Sequence, residues 1–329
     1  MNVSRLVEEG IEPAPPGRFT RLRVQVQAGV HLAAMNTVPS AKAVLELFKP
    51  VTWFPPMWAF GCGIVSAGVA VQDRWLFALG GIVLAGPMVC GTSQAINDWF
   101  DRHVDAINEP QRPIPSGRIP GRWGLYLALL GSAVSLLLAA LLGLWVLAAT
   151  VVALLLAWAY SMPPIRLKQN GWWGNTAVGF SYEGIAWFTG AAAMLSALPG
   201  WPIITLAVLY SLGAHGIMTI NDFKSVDGDR RMGIASLPAQ LGVDRAARVA
   251  CISMIIPQVL VIGLLLFWDR PYHAAAIVIL LALQLLFMLR LLEQPRERAP
   301  WYNMTGIMAY VFGMLVAAFA VRDVVSMAG

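Results

Sequence analysis

The sequence is dominated by recurring apolar runs, each of about 20 residues and long enough to cross a bilayer as a helix. Of its 329 residues, 58% are hydrophobic and 12% are charged, whereas about 25% of the residues of a soluble domain are charged. Inside lipid, backbone polar groups must bond within their own segment, which favours helices. The pattern therefore predicts an all-α integral membrane protein.

The apolar runs and their breaks predict a bundle of about nine transmembrane helices with loops that cap its cytoplasmic end. The predicted spans are 51–70, 76–99, 123–142, 144–161, 174–195, 201–222, 246–268, 272–292 and 301–321. Before them, Ser40 is expected to cap a short helix over 41–48 that lies along the membrane surface. Residues 1–40 are then a cytoplasmic tail, and residues 41–329 form the membrane domain.

Positive charge is distributed unequally between the predicted loops. Of the 23 Lys and Arg residues, all but Arg74, Arg270 and Arg322 fall on one side of the nine-span arrangement. Basic residues mark the cytoplasmic side, so the N-terminus is expected inside and the C-terminus outside. This placement explains the basic composition without nucleic acid as a partner. The three Cys residues show no ligand spacing, which argues against zinc or iron–sulfur chemistry.

An acidic motif ends the second predicted span, where residues 97–105 read NDWFDRHVD. At about 100° per residue, one amide and three carboxylates of this motif share a helical face. They are Asn97, Asp98, Asp101 and Asp105. Gln94 lies one turn deeper on this face, and Gly91 lies beyond it and leaves room. A solvated acidic cap is the simpler interpretation, but acids at a helix C-terminus oppose the macrodipole. A bound hard cation relieves their repulsion, and magnesium commonly takes a few carboxylates and substrate phosphates.

A second acidic motif ends the sixth predicted span, where residues 221–229 read NDFKSVDGD. Asp222 and Asp229 share a face if the helix continues, whereas Asp227 points elsewhere and its role stays open. Two facing carboxylate stripes predict two magnesium ions that bridge the oxygens of a diphosphate and take up charge as it leaves. The candidate metal ligands are Asn97, Asp98, Asp101, Asp105, Asn221, Asp222 and Asp229; the candidate catalytic residues among them are Asp98, Asp101 and Asp222.

Fixed positive charge for a diphosphate is available in two proline-rich loops, over 109–118 and 161–171. Arg binds phosphate with paired hydrogen bonds, and Lys acts as a point charge. The candidate diphosphate-binding residues are Arg112, Arg166, Lys168 and Lys224. For each of them, an ordinary positive-inside loop residue is the alternative interpretation.

These motifs resemble those of the UbiA superfamily of prenyltransferases, in which an NDxxDxxxD motif precedes a second acidic motif. The local sequences are most similar to the chlorophyll and bacteriochlorophyll synthase branch of that superfamily. The similar stretches are 48–60, 108–117, 160–172, 181–184 and 221–226. One departure is that the middle acid of the second motif is displaced to Asp227, which leaves the ligand set of the second metal open.

The resemblance implies that a geranylgeranyl or phytyl group passes from its diphosphate to the propionate of bacteriochlorophyllide a, with Mg²⁺ as cofactor. A propionate is already anionic at neutral pH, so it needs no general base. The enzyme would lie in the cytoplasmic or photosynthetic membrane of a bacterium, open to membrane lipid, with its active site facing the cytoplasm. A UbiA-type enzyme acting on a quinone precursor or haem is the nearest alternative. A cation transporter and a non-catalytic assembly factor are the alternatives from other classes.

Four polar residues of the predicted spans are candidates for binding the acceptor. Glu183 is an intramembrane carboxylate, which is a functional candidate by default, although it can equally bond a neighbouring helix. His215 projects about two turns above Asp222. It is expected to lie over the tetrapyrrole, to ligate the tetrapyrrole's magnesium, or to pack as an ordinary hydrogen-bonded histidine. Gln94 and Tyr182 complete the set.

Overall fold

The computed structural model describes residues 38–328, which fold into α-helices without a β-strand. Two of these helices, α3 and α6, contain a π-helical stretch, at Leu84–Cys90 and Phe180–Ile185. The helices are α1 (Ala41–Leu47), α2 (Phe54–Ser66), α3 (Trp75–Val83, Leu84–Cys90 and Gly91–Asn108), α4 (Trp123–Leu142), α5 (Leu144–Ser161), α6 (Gly171–Gly179, Phe180–Ile185 and Ala186–Leu195), α7 (Trp201–Asn221), α8 (Val226–Met232), α9 (Leu237–Leu241), α10 (Val243–Phe267), α11 (Pro271–Glu293) and α12 (Pro295–Ala328). Most of the predicted tail, 1–37, lies outside the described residues.

Seven helices of the described chain are long and apolar enough to cross a membrane, which agrees with the predicted all-α membrane protein. They are α3, α4, α5, α7, α10, α11 and α12. The predicted span over 51–70 corresponds to α2, which has 13 residues and is short for a bilayer that requires about 20. The span over 174–195 corresponds to α6, which carries the polar Tyr182 and Glu183. The count of nine spans therefore stays a prediction.

Helix α1 begins where the sequence indicates. The backbone N–H of Ala43 donates to Ser40 Oγ at 3.3 Å, which satisfies one of the free amides of the first turn. Leu47 is fully buried at the other end of the helix. The chain then reverses at Lys49, which adopts a left-handed conformation with φ 46° before Pro50. This turn directs the Lys49 side chain toward the first acidic motif.

Glycines allow α2 and α6 to pack with their backbones in contact. A Cβ on Gly63 would lie 2.1 Å from the Trp187 carbonyl oxygen, and a Cβ on Gly190 would lie 2.1 Å from the Phe60 carbonyl oxygen. Small residues permit such close crossings in membrane proteins. A side chain at either position would displace backbone, which a rotamer change cannot relieve.

We therefore expect Gly63→Ala to lower the thermal midpoint of the purified protein. Overpacking of this kind costs about 1–3 kcal/mol. Gly61→Ala is the matched control, because nothing lies within 4 Å of a Cβ there and Ala is the better helix former. Unfolding in detergent, followed by reaction of the buried cysteines with a thiol dye, measures both. Equal midpoints for the two variants would contradict the packing described above.

A second close approach, between α6 and α7, sets the position of the acidic motif at the end of α7. A Cβ on Gly179 would lie 2.8 Å from the Ser211 carbonyl oxygen, and one on Gly184 would lie 2.2 Å from Ser211 Oγ. The start of α6 lies beside the end of α7, where Asn175 Nδ2 donates to Thr219 Oγ1 at 3.3 Å. The π-helical stretches of α3 and α6 both pack against α2, and such stretches are frequent at functional sites.

Candidate active site

The first acidic motif is helical throughout, because α3 continues to Asn108. Asp98 is 1% exposed, and its Oδ1 accepts from Lys49 Nζ at 2.7 Å and from Arg112 Nη1 at 3.3 Å. Its Oδ2 is buried without a hydrogen-bond partner. Arg112 also binds Asp105 Oδ2 at 2.9 Å. The predicted loop cation and two of the predicted acids are thus in direct contact.

Asp101 lies on the same face and is paired with the second basic loop. Arg166 Nη2 lies 3.0 Å from Asp101 Oδ1, and Lys168 forms an ion pair with the other oxygen. Burial lowers the pKa of the Lys168 ammonium from its ordinary value, although the charge of Asp101 opposes that shift. Each basic loop therefore supplies charge to a different part of the motif.

Two of these cations are held by uncommon backbone conformations. Lys49 and Arg166 both have positive φ values, 46° and 38°, which are rare for residues other than glycine. Strain of this kind costs on the order of 1–3 kcal/mol and clusters at functional sites. Here it places one cation beside Asp98 and the other beside Asp101.

The second acidic motif lies where α7 ends. Asp222 Oδ2 accepts from Asn175 Nδ2 of α6 at 3.1 Å, and Asn221 Oδ1 accepts from Asn303 Nδ2 of α12 at 2.7 Å. The helix does not continue through the motif, because a 3₁₀ turn over Asp222–Lys224 separates α7 from α8. Asp222 and Asp229 were predicted to share a face only if the helix continued. Because it does not continue, periodicity no longer supports placing them together.

The remaining acids of this motif have separate environments. Asp229 is buried, and its Oδ2 accepts from Ser225 Oγ at 2.9 Å and from Ser236 Oγ at 2.7 Å. Asp227 is exposed and pairs with Arg296. Lys224 is exposed as well. The metal-binding role of Asp229 and the diphosphate-binding role of Lys224 stay predictions.

A backbone contact joins the second basic loop to the segment that follows α8. Gly171 N donates to the Ala235 carbonyl at 2.7 Å, and Ala235 N donates to the Gln169 carbonyl at 2.9 Å. Ala235 adjoins Ser236, which binds Asp229. The loop that carries Arg166 and Lys168 is thereby held against the second acidic motif.

A cavity of about 430 Å³ extends from the two acidic motifs into the bundle. Its polar end includes Asn97 and Asn221. Gln94 and Tyr182 follow deeper on the wall, and Gln94 Nε2 donates to the Tyr182 hydroxyl at 3.0 Å. The other walls are largely apolar. They include Pro55, Leu84, Val89, Leu156, Ile185 and Ile217.

The other two acceptor candidates differ in position. Glu183 lines the cavity, is 6% exposed, and has a buried Oε2 without a hydrogen-bond partner. His215 is absent from the cavity wall among the described residues, and its ring stacks on Trp172 with centroids 5.6 Å apart. The room expected beside Gly91 is also taken, because a Cβ there would lie 2.5 Å from Phe48 Cδ1. The predicted open space beside Gly91 was therefore wrong.

The donor set at the acidic motifs suits a hard divalent cation. The amides of Asn97 and Asn221 line the polar end of the cavity, and the carboxylate next to Asn97 in the chain, Asp98, has a buried Oδ2 without a partner. Within residues 38–328, no three His, Cys, Asp or Glu side chains are close enough to hold an ion alone. Magnesium usually takes one or two carboxylates together with substrate phosphates, so the residues fit an ion that arrives with a diphosphate.

Three residues at the motifs were missed in the sequence. Lys49 precedes a proline at the end of α1, so the sequence indicated only a helix terminus there. Asn175 and Asn303 are single amides in apolar segments. Intramembrane polar residues are functional candidates, which is the signal that would have found the two amides. No local pattern indicates the contact between Lys49 and Asp98, which are far apart in sequence.

Comparison with known proteins identifies the family of this chain. Residues 53–316 match the UbiA prenyltransferase family. The chain is 56% identical over 287 residues to the bacteriochlorophyll synthase 33 kDa chain of Cereibacter sphaeroides, covering 87% of this chain and 95% of that protein. It is 39% identical to the chloroplastic chlorophyll synthase of Oryza sativa subsp. japonica, covering 85% and 76%.

A solved structure has the same fold. The UbiA homolog from Archaeoglobus fulgidus bound to GPP and Mg²⁺ matches with a TM-score of 0.66 at 18% identity, over 83% of this chain and 99% of that one. The family match covers most of the chain, including both acidic motifs and both basic loops. This chain belongs to the UbiA prenyltransferase family.

Proposed function

We infer that this chain is a prenyltransferase that esterifies the propionate of bacteriochlorophyllide a with a geranylgeranyl or phytyl group, in bacteriochlorophyll synthesis. The observation that carries this function is the 56% identity to a bacteriochlorophyll synthase chain over 95% of that protein's length. Identity to a chlorophyll synthase is lower, at 39%, so a bacteriochlorophyllide is favoured over a chlorophyllide.

The reaction needs charge stabilisation more than proton transfer. A propionate oxygen forms a bond to C1 of the prenyl group as the bond from C1 to the diphosphate oxygen breaks. The diphosphate leaves with the electron pair. Because the propionate is ionised at neutral pH, this chain has to hold both anions and to stabilise the charge on the departing diphosphate.

The acidic motifs would hold magnesium through Asn97, Asp98, Asp101, Asp105, Asn221, Asp222 and Asp229. When bound, the ions would supply positive charge to the diphosphate oxygens. The support is the position of the Asn97 and Asn221 amides at the polar end of the cavity, together with the buried, unpartnered Oδ2 of Asp98. Asn175 and Asn303 orient Asp222 and Asn221 by donating to their side chains.

The basic residues would bind the diphosphate directly. Arg112, Arg166 and Lys168 are paired with Asp98, Asp101 and Asp105 in this structure. Arg112, Arg166 and Lys168 can turn from these acids to the phosphate oxygens when a diphosphate binds, which would leave the oxygens of Asp98, Asp101 and Asp105 to hold the metal. Lys49 is in contact with Asp98 and is a further candidate. Lys224, exposed beside Asp222, is the fourth of the predicted cations.

The cavity is the proposed place for the substrates near the reacting atoms. Its apolar walls suit a prenyl chain, which is as apolar as the bilayer core, and Gln94, Tyr182 and Glu183 provide polar contacts for the acceptor. His215 does not line the cavity, but its ring stacks on Trp172. We therefore retain it as an acceptor-binding candidate only on the basis of that contact. Both substrates would enter from membrane lipid.

The function is tested by incubating the purified protein with bacteriochlorophyllide a, magnesium and either geranylgeranyl or phytyl diphosphate, and identifying the pigment by mass spectrometry. We expect the corresponding ester and free diphosphate in equal amounts. A quinone precursor and haem serve as competing acceptors. Prenylation of either one, with bacteriochlorophyllide left unesterified, would contradict the proposed function. Ion flux through vesicles without ester formation would instead favour a transporter.

We also propose that the acidic motifs face the cytoplasm of a bacterial cytoplasmic or photosynthetic membrane, with the N-terminus on the same side. The support is the excess of Lys and Arg in the loops beside these motifs. Ser116 lies in the loop after α3, and Gln72 lies at the opposite end of that helix; both are exposed. Placing Cys at each position therefore reports on the two sides separately.

We expect Ser116→Cys to react with an impermeant thiol reagent only from the cytoplasmic side, and Gln72→Cys only from the other side. The native Cys62, Cys90 and Cys251 are buried, so the wild-type protein is the background control. Spheroplasts and inside-out vesicles present the two faces in turn. Labelling of Ser116→Cys in intact spheroplasts would reverse the proposed orientation.

A further inference from the structure

Glu183 is a buried acid in the cavity wall that the transfer chemistry does not use. It lies in the π-helical stretch of α6, is 6% exposed, and its Oε2 has no hydrogen-bond partner. The adjacent Tyr182, by contrast, accepts from Gln94. A buried polar atom without a partner is destabilising. A ligand bound in the cavity can supply the partner that Glu183 Oε2 lacks.

The surroundings favour the neutral form of this acid. The described residues that line the cavity include no Lys, Arg or His, so no counter-charge lies on the wall beside Glu183. An ionised carboxylate is costly in apolar surroundings without a paired cation. A protonated carboxyl group has one O–H donor. The wall therefore presents a hydrogen-bond donor inside an otherwise largely apolar cavity.

Only one of the two substrates can satisfy this donor. Beyond its diphosphate, the prenyl donor is a hydrocarbon and has no hydrogen-bond acceptor. The propionate of the acceptor must lie at the acidic motifs, where it reacts. Glu183 lies a little over two turns from Asn175 along α6, which is roughly 12 Å, and Asn175 contacts Asp222. The partner is therefore an oxygen on a part of the macrocycle distant from the propionate.

We propose that Glu183 determines acceptor specificity by donating a hydrogen bond to the acetyl oxygen of bacteriochlorophyllide a. This inference rests on the proposed function. Bacteriochlorophyllide a carries an acetyl group on a different ring from the one that bears the propionate, and chlorophyllide a carries a vinyl group at that position. A vinyl group cannot accept this hydrogen bond. Binding of chlorophyllide a would therefore bury the Glu183 hydroxyl without a hydrogen-bond partner. A site that bonds a polar group rejects the analogue that lacks it.

The test compares bacteriochlorophyllide a with its 3-vinyl analogue, which differs only at the acetyl position. We expect the wild-type kcat/KM to favour the acetyl acceptor by about ten- to hundredfold. Glu183→Leu should remove this preference through the acceptor KM, without changing the KM for geranylgeranyl diphosphate. Glu183→Gln retains an N–H donor and should keep most of the preference. Thr189→Val is the matched control, because the Thr189 hydroxyl lines the same cavity but already donates to the Ile185 carbonyl.

Resonance Raman spectra of the bound acceptor give a readout that does not depend on turnover. The acetyl C=O frequency should be lowered in the wild-type complex and in Glu183→Gln, and return to its free value in Glu183→Leu. An unshifted frequency in the wild-type complex would overturn the proposal even if no variant folds. So would an acetyl preference that survives in Glu183→Leu.

A metal-free acceptor separates this role from ligation of the macrocycle's magnesium. If Glu183→Leu lost discrimination between the magnesium and metal-free acceptors, but not between acetyl and vinyl, Glu183 would be a metal ligand and the proposal wrong. Failure of the wild-type protein to esterify any of these acceptors would reject the proposed function itself. Equal use of both acceptors by an active wild-type enzyme would reject only the role of Glu183.

Discussion

Replacing Asp98 with Asn is expected to lower kcat by at least about a hundredfold while the protein stays folded. Asp98 is buried, and its Oδ2 has no protein partner, so the substitution removes charge at the place proposed for the metal. Asn keeps the shape and one oxygen. The two cations that bind Asp98, Lys49 and Arg112, are about a quarter exposed and can turn toward water. Asp222→Asn should have a similar effect, because Asn175 holds that carboxylate at the second motif.

Asp227→Asn is the matched control for both substitutions. It removes a carboxylate from the same acidic motif, but Asp227 is exposed and paired with Arg296. Its kcat should stay near that of the wild-type protein. Turnover is measured with both substrates saturating and magnesium varied, and the thermal midpoint of each variant is recorded. Addition of EDTA should stop wild-type turnover, and magnesium should restore it. Activity of Asp98→Asn equal to that of Asp227→Asn, or full wild-type activity in EDTA, would exclude the proposed metal role.

Replacing Lys168 with Ala should raise the KM for the prenyl diphosphate by about ten- to hundredfold, since a hydrogen bond to a charged group contributes about 1.5–3 kcal/mol. The side chain is 11% exposed and paired with Asp101, so water screens it weakly. Arg112→Ala should act in the same direction, because Arg112 contacts Asp98 and Asp105. The acceptor KM should change little for either variant.

Arg118→Ala is the control for the loss of one loop cation. Arg118 belongs to the same loop as Arg112, but it is exposed and paired with Glu46 rather than with a motif acid. Steady-state kinetics with each substrate varied in turn distinguishes the cases. An increase in donor KM for Arg118→Ala as large as that for Lys168→Ala would mean that general positive charge, and not the position of Lys168, binds the donor.

Much of the helical framework was predictable because it follows from local properties. The predicted spans 123–142 and 144–161 coincide with α4 and α5. Membrane helices leave this clear signal because lipid requires long apolar segments whose backbone bonds are internal. The weaker predictions concern 51–70 and 174–195, where α2 is short and α6 is interrupted by polar residues. Hydropathy depends only on composition, so it predicts the bounds of a short or polar-interrupted helix less reliably.

The candidate site was predictable in part, for a related reason. Helical periodicity was sufficient to place Asp98, Asp101 and Asp105 on one face of a helix, since neighbours three and four residues apart share a face. The same argument depended on a continuous helix at Asp222, and there a 3₁₀ turn intervenes. Periodicity assigns residues to faces only while the helix continues, and the weak helix formers over 225–229 make a break there unsurprising without fixing its position.

The sequence by itself determined the membrane-helix class, the two acidic motifs and the resemblance to UbiA prenyltransferases, because each is written in contiguous residues. Only the tertiary structure decided which side chains meet. It brings Lys49 to Asp98, Asn175 to Asp222, and leaves Glu183 unpartnered in the cavity wall. These contacts join segments from different helices, and their distances depend on how closely the helices cross. Glycine contacts such as that of Gly184 against Ser211 fix that spacing, and no local sequence signal records it.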